Sequence, residues 1–140
     1  MVMSKVMAAC LMLAAQTYQV PPAVMVGIWQ VEGGKVGMAM PNTNGTYDLG
    51  PMQINTLWLP ELSEKWGVSQ ETAKNWIMND PCTNMGVSAW ILRSHYNETG
   101  SLSKAIQYYH SRTPKFGYAY RKKVIDAMAS KGLLKTGSTR

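Results

Sequence analysis

Apolar positions recur at helical spacing along most of the chain, and the residues flanking each run are the usual helix boundary signals. Ser4 precedes a first segment over about 5–18, in which Val6, Cys10, Leu13, Ala14 and Thr17 fall at i, i+3, i+4 spacing. A hydroxyl cap ahead of such a stripe predicts a helix packed through that face. Pro21-Pro22 opens a second helix, since proline's fixed φ and missing N–H suit a first turn. Val24, Ile28 and Val31 form its inner stripe and Gly33-Gly34 ends it. Residues 37–55 break the pattern: Pro41, Asn42, Asn44-Gly45 and Gly50-Pro51 read as turns or a small hairpin. Helical character then resumes. Ser69 caps a segment to about 78, Asp80-Pro81 starts a longer one to about 97, and Ser101 or Ser103 starts another carrying AIQYYH, which Pro114 breaks. A last helix over 117–130 stops at Gly132. The expectation is a mainly α fold with one small irregular or β-hairpin lobe at about 37–55, a single domain over 1–132 and a fraying tail at 133–140.

Size and composition agree with one core. A chain of 140 residues with 46% hydrophobic content buries roughly two-thirds of its unfolded surface, enough for one domain. That composition excludes collagen, coiled coil, disordered and disulfide-dense classes. Two Cys and two His leave no ligand set for a dedicated zinc site, and no apolar run reaches the length of a membrane span. Lys5 followed by VMAACLMLAA resembles a short signal core, but its length favours a core helix; an export signal is expected outside this sequence. Cys10 and Cys82 either pair, which implies an oxidising compartment, or remain two buried thiols. The net charge of +6 favours an anionic partner. Its densest run, Arg121-Lys122-Lys123, reads as a solvated helix face, and no nucleic-acid motif accompanies it.

Only eight residues are acidic, and Glu32 is the most informative. It falls in the last turn of an apolar helix, where the partial negative charge of the helix end opposes an ionised carboxyl. Apolar neighbours such as Trp29 would add desolvation, and both effects raise a carboxyl pKa toward the range of a general acid. An exposed surface Glu also fits that position, and the helix pattern alone does not choose between the two.

The segment that follows, N42-T-N-G-T-Y-D-L-G-P-M-Q-I-N55, changes the balance. With Glu32 at a helix end, the chain resembles the soluble lytic transglycosylase domain of the lysozyme superfamily. Gly50, Met52, Gln53, Ile54 and Asn55 match its G-L-M-Q-I-N-type motif. Asn84-Met85 matches its Asn-Ile pair, Tyr109 its A-x-x-x-Y-N block, and Tyr120 with Lys123-Val124 its closing Y-x-x-K-V element. These blocks run in order from about residue 20 to 125. The likeness is to the small transglycosylases that accompany type III and type IV secretion and conjugation systems. Departures are Gly33 in place of Ser, Pro51 in place of Leu or Ile, Ser88 in place of Gly, and His110 in place of Asn.

The resemblance implies a lysozyme-like α+β fold and cleavage of the peptidoglycan bond between MurNAc and GlcNAc, in a periplasmic or secreted monomer that needs no metal or cofactor. Glu32 would serve as the catalytic acid and then base. Tyr109 would orient it, Gln53 and Met52 would shape the floor of the sugar site, Asn84 would fix a loop, a sugar amide or its own helix, and Tyr120 belongs to the same set. A Cys10–Cys82 disulfide is implied as well. Partners would be glycan strands and the proteins of a secretion or conjugation apparatus. Asp48 keeps a second chemistry open, since N-T-N-G-T-Y-D-L-G also resembles the animal lysozyme segment that supplies a second carboxylate, and a retaining hydrolase needs two. Otherwise Asp48 tightens its own turn. A glycan-binding or scaffold role without cleavage is the remaining alternative. The five Trp are expected mainly in the core, and none is assigned to sugar stacking.

Overall fold

In the computed structural model, which describes residues 2–134, helices are arranged around one long central helix, with a small sheet set between the second and third. The order is α1 (Lys5–Tyr18), α2 (Pro22–Glu32), β1 (Ala39–Pro41), β2 (Tyr47–Leu49), β3 (Ile54–Asn55), a 3-10 turn (Thr56–Trp58), α3 (Leu59–Trp66), α4 (Gln70–Asn79), α5 (Pro81–Thr99), α6 (Leu102–His110) and α7 (Pro114–Ser130). This is a mainly α fold with a small β lobe, consistent with the lysozyme-like expectation.

Most boundaries have the anticipated chemistry. The hydroxyls of Ser4, Ser69 and Ser101 accept from the backbone N–H groups of Met7, Thr72 and Lys104, and Asp80 accepts from Cys82. Each satisfies a donor that a helix start leaves open. Two elements differ from expectation. Pro114 does not merely break α6; it is the first residue of α7, so that helix starts three residues before Gly117. The stretch at 37–55 is a three-stranded antiparallel sheet rather than one hairpin: Met40 pairs with Asp48, and Asp48 in turn with Asn55.

The core runs along α5. Helix α1 lies on it through Cys10, Leu11, Ala14 and Ala15, while Val6 and Leu13, placed in the inner stripe by periodicity, are 65% and 60% exposed. The packed face is turned toward the small residues and the cysteine, because Cys10 is bonded to Cys82 at the start of α5 with the two Cα atoms 4.6 Å apart. A bridge closing a loop of 72 residues restrains the unfolded chain by about 4 kcal/mol in the chain-entropy treatment.

Helices α6 and α7 pack on one another, and α2 packs on α7. Gly27 permits that last approach: a Cβ there would lie 2.8 Å from Met128 Cγ and 3.0 Å from Val124 Cγ1. One turn beyond Gly27, the same contact brings Tyr120 of α7 against the end of α2. That helix ends in Glu32, and Gly33 closes it in the left-handed region with its N–H on the Trp29 carbonyl. Among the described residues no helix is long and apolar enough to cross a membrane.

Candidate functional site

A cleft of about 740 Å³ lies between the β lobe and the helical body. Glu32, Asp48, Gln53, Ile54, Asn55, Trp58, Tyr109 and His110 line it, with Asn42, Asn44 and Thr46 from the β1–β2 turn. Helices α2, α5, α6 and α7, all three strands, the 3-10 turn and the loops between them therefore converge on one groove, and Glu32 enters it from the end of α2.

The Glu32 carboxyl is largely enclosed, and its pKa is raised from 4.5 to about 7. Burial is the main cause, since a desolvated carboxylate loses hydration that the neutral acid does not need. The Tyr120 hydroxyl opposes the rise and the negative charge of Asp48 adds to it. The Tyr120 oxygen is itself buried and completes no hydrogen bond of ordinary geometry, so its hold on Glu32 is a loose one. Trp29, in the same last turn of α2, is buried in the core at 4% exposure.

The segment at 50–53 is held by groups far away in sequence. Asn84, fully buried on α5, accepts from the Met52 N–H at 2.8 Å and donates to the carbonyls of Leu49 (2.9 Å) and Ile77 (3.0 Å). Of the three roles open to it, fixing the loop is the one its hydrogen bonds serve. Tyr109 donates to the Met52 carbonyl at 3.0 Å, which leaves the Ser88 hydroxyl to donate to the Tyr109 oxygen at 2.8 Å. Tyr109 was expected to orient Glu32 directly; its hydrogen bonds go to Met52 and Ser88, and it neighbours the acid without bonding it. Burial and the nearby Glu32 charge hold the Tyr109 phenol neutral. The Ser88 departure thus has a use, as the donor to Tyr109.

Met52 does not reach the floor of the cleft: its side chain is fully buried, and only its backbone serves the site. Gln53 does line the groove. It adopts a left-handed backbone (φ 54°) and donates from Nε2 to the Gly50 carbonyl at 2.9 Å. Gly34 packs against this turn so tightly that any side chain there would strike the Gly50 carbonyl. The α2 end and the Gln53 turn are therefore locked together behind Glu32.

Asp48 does not tighten its own turn. Its carboxylate accepts from Asn55 Nδ2 at 3.0 Å across the β2–β3 pair, and the same amide donates to Thr46 Oγ1. The turn is closed by Asn44 Oδ1, which accepts from the Thr46 N–H. Asn55 stands in the sequence as part of the M-Q-I-N motif without this role; the signal for it is the period-two register that places it opposite Asp48. Trp58 was also missed as a wall of the cleft. It is backed edge-on by Trp90 at 5.4 Å and by the buried His95. Trp66, Trp76 and Trp90 do not enter the core fully; with Tyr18 they wall a second cavity of about 420 Å³. No cluster of metal-ligating side chains occurs among the described residues.

A desolvated carboxyl in an open groove, with polar amides and one aromatic wall, can bind an uncharged polymer rich in hydroxyls and deliver a proton to it. Comparisons with known proteins agree with that chemistry. A family model for the transglycosylase SLT domain matches residues 9–123, from within α1 into α7. The invasion protein IagB of Salmonella typhimurium (strains SL1344 and LT2) and of Salmonella typhi is 30% identical over 107 residues, which are 76% of this chain and 64% of the relative. The chain thus matches just under two thirds of the length of these relatives.

Proposed function

The chain belongs to the transglycosylase SLT domain family, and from that premise we propose that it cleaves the β-1,4 bond between MurNAc and GlcNAc of peptidoglycan by transglycosylation, with Glu32 as the single acid and base. The observation that carries this reading is the enclosed carboxyl at the end of α2, poised at a pKa of about 7 over the cleft between the β lobe and the helical body. At neutral pH a large fraction of Glu32 holds its proton, as a general acid must. It donates that proton to the glycosidic oxygen as the C1–O bond breaks, while the MurNAc acetamido group supports the anomeric carbon. Glu32, now ionised, takes the proton of the MurNAc C6 hydroxyl as O6 bonds to C1. The product ends in anhydro-MurNAc, the carboxyl regains its proton, and no water is consumed. Asn84 and Tyr109 support this by fixing the loop beneath the sugar, and Gln53 faces the glycan.

The substrate implies action in the periplasm or outside the cell, and the likeness to an invasion protein suits a role in opening the wall locally for a secretion or conjugation apparatus. A second reading, hydrolysis by a muramidase, is favoured by one observation: Asp48 lines the same cleft and its charge reaches Glu32. Glu32→Gln tests catalysis against a scaffold role. The expected result is loss of lysis of purified cell wall with binding to it retained; lysis that survives the change removes Glu32 from the chemistry.

A further inference from the structure

A smaller cavity of about 310 Å³ adjoins the main cleft on the α7 side. The two share Glu32, His110 and Phe116 as common wall, and the smaller one is completed by Val31, Ala119, Tyr120 and Lys123. His110 lies flat on Tyr120, with ring centroids 4.8 Å apart and planes 9° from parallel, so the imidazole forms a fixed flank beside the acid. The basic run on α7 is not uniform. Arg121 donates to Ser103 Oγ and Lys122 pairs with Asp126, whereas Lys123 has no hydrogen-bond or ion-pair partner among the described residues. It is the member of the run that faces the cavity, close enough to His110 for its charge to disfavour the imidazolium.

We infer that this side pocket receives the peptide stem of the MurNAc residue being cleaved, with Lys123 binding a stem carboxylate. This rests on the transglycosylase reading above. If Glu32 protonates the oxygen on MurNAc C1, the substituent on C3 of the same ring leaves within one sugar's width of that carboxyl. A pocket that takes the stem must therefore border Glu32, and this one does. Its lining suits a short peptide: apolar contacts from Val31 and Ala119, an exposed aromatic ring from Phe116, and one cation without a partner among the described residues for an anionic end. The glycan itself is left to the larger groove, whose walls carry Asn and Thr but no cation.

The test compares glycan strands carrying free-acid stems with the same strands after their stem carboxylates are converted to amides. This changes charge without changing length. Initial rates are read as anhydro ends released. The wild-type chain is expected to have a kcat/KM about two- to fivefold higher on the acid stems, the scale of a solvent-exposed ion pair, with the preference shrinking as salt is raised. Lys123→Gln is expected to bring the ratio of the two rates to about one, and Lys123→Arg to keep it above one. Equal wild-type rates on the two substrates, or a preference that survives in Lys123→Gln, overturn the inference. Failure to cleave either substrate counts against the transglycosylase reading instead, so the two failures are distinct.

Discussion

Holding Glu32 in a desolvated site has a measurable cost to folding, and its sign and pH window follow from the shift. The folded-state pKa of about 7 lies above the 4.5 of an unperturbed glutamate. At pH values below about 4.5, folded and unfolded chains both carry the proton and the site makes its full contribution to stability. As pH rises, the unfolded chain loses the proton first and the folded chain holds it, so stability falls at about 1.4 kcal/mol per pH unit until the folded pKa is passed. Over 2.5 units that approaches about 3.4 kcal/mol; because the carboxyl keeps some contact with water, about 2–3 kcal/mol is the expected loss. Glu32→Gln keeps the shape and removes the titration. Urea denaturation of both proteins at about pH 4 and about pH 8 isolates the term. The variant should gain about 2–3 kcal/mol on the wild type between the two conditions, or a relative rise in Tm of roughly 10 °C. If the stability difference between the proteins is the same at both pH values, Glu32 is not held in a desolvated site and the reasoning fails.

Three further outcomes follow from the same geometry. The kcat/KM for wall cleavage should fall about tenfold per pH unit above about 7, as the free enzyme loses the Glu32 proton, and a profile that keeps rising to pH 9 would contradict the acid role. Asn84→Ala strands the Met52 N–H and the Leu49 and Ile77 carbonyls in the core; thermal melts should report a loss of about 3 kcal/mol or more, with activity falling even at temperatures where the variant is folded. Reducing the Cys10–Cys82 bridge should lower stability by about 4 kcal/mol, seen as a Tm drop on adding reductant that the Cys10→Ala/Cys82→Ala double variant does not show.

What could be read from the chain follows the range of the physics. Helix caps are local: Ser4, Ser69, Asp80 and Ser101 bond to groups two or three residues away, so their positions were legible. Pro114 was ambiguous, because proline both ends one helix and suits the first turn of the next. The face of α1 was misjudged because Val6 and Leu13 are as apolar as the buried positions; the direction of packing is set by the bond from Cys10 to α5, a constraint outside the local pattern. The helix end and apolar context made Glu32 a candidate, but they left a surface Glu open until the motif at 42–55 was read beside them; the size of its pKa rise comes from enclosure, with Tyr120, 88 positions away, among its neighbours. The same holds for Asn84, whose three partners lie 7 to 35 residues distant. Met52 and Gln53 were predicted as a pair, yet the left-handed turn at Gln53 sends one side chain into the core and the other to the cleft.

The chemistry by which the bond breaks separates a mechanism using Glu32 alone from one in which Asp48 also takes part. Purified peptidoglycan digested with this protein, followed by mass spectrometry of the released muropeptides, reads that difference directly. The account predicts anhydro-MurNAc ends, produced by the wild type and absent with Glu32→Gln. Reducing ends, heavier by one water, would contradict it and assign the cleft to a hydrolase.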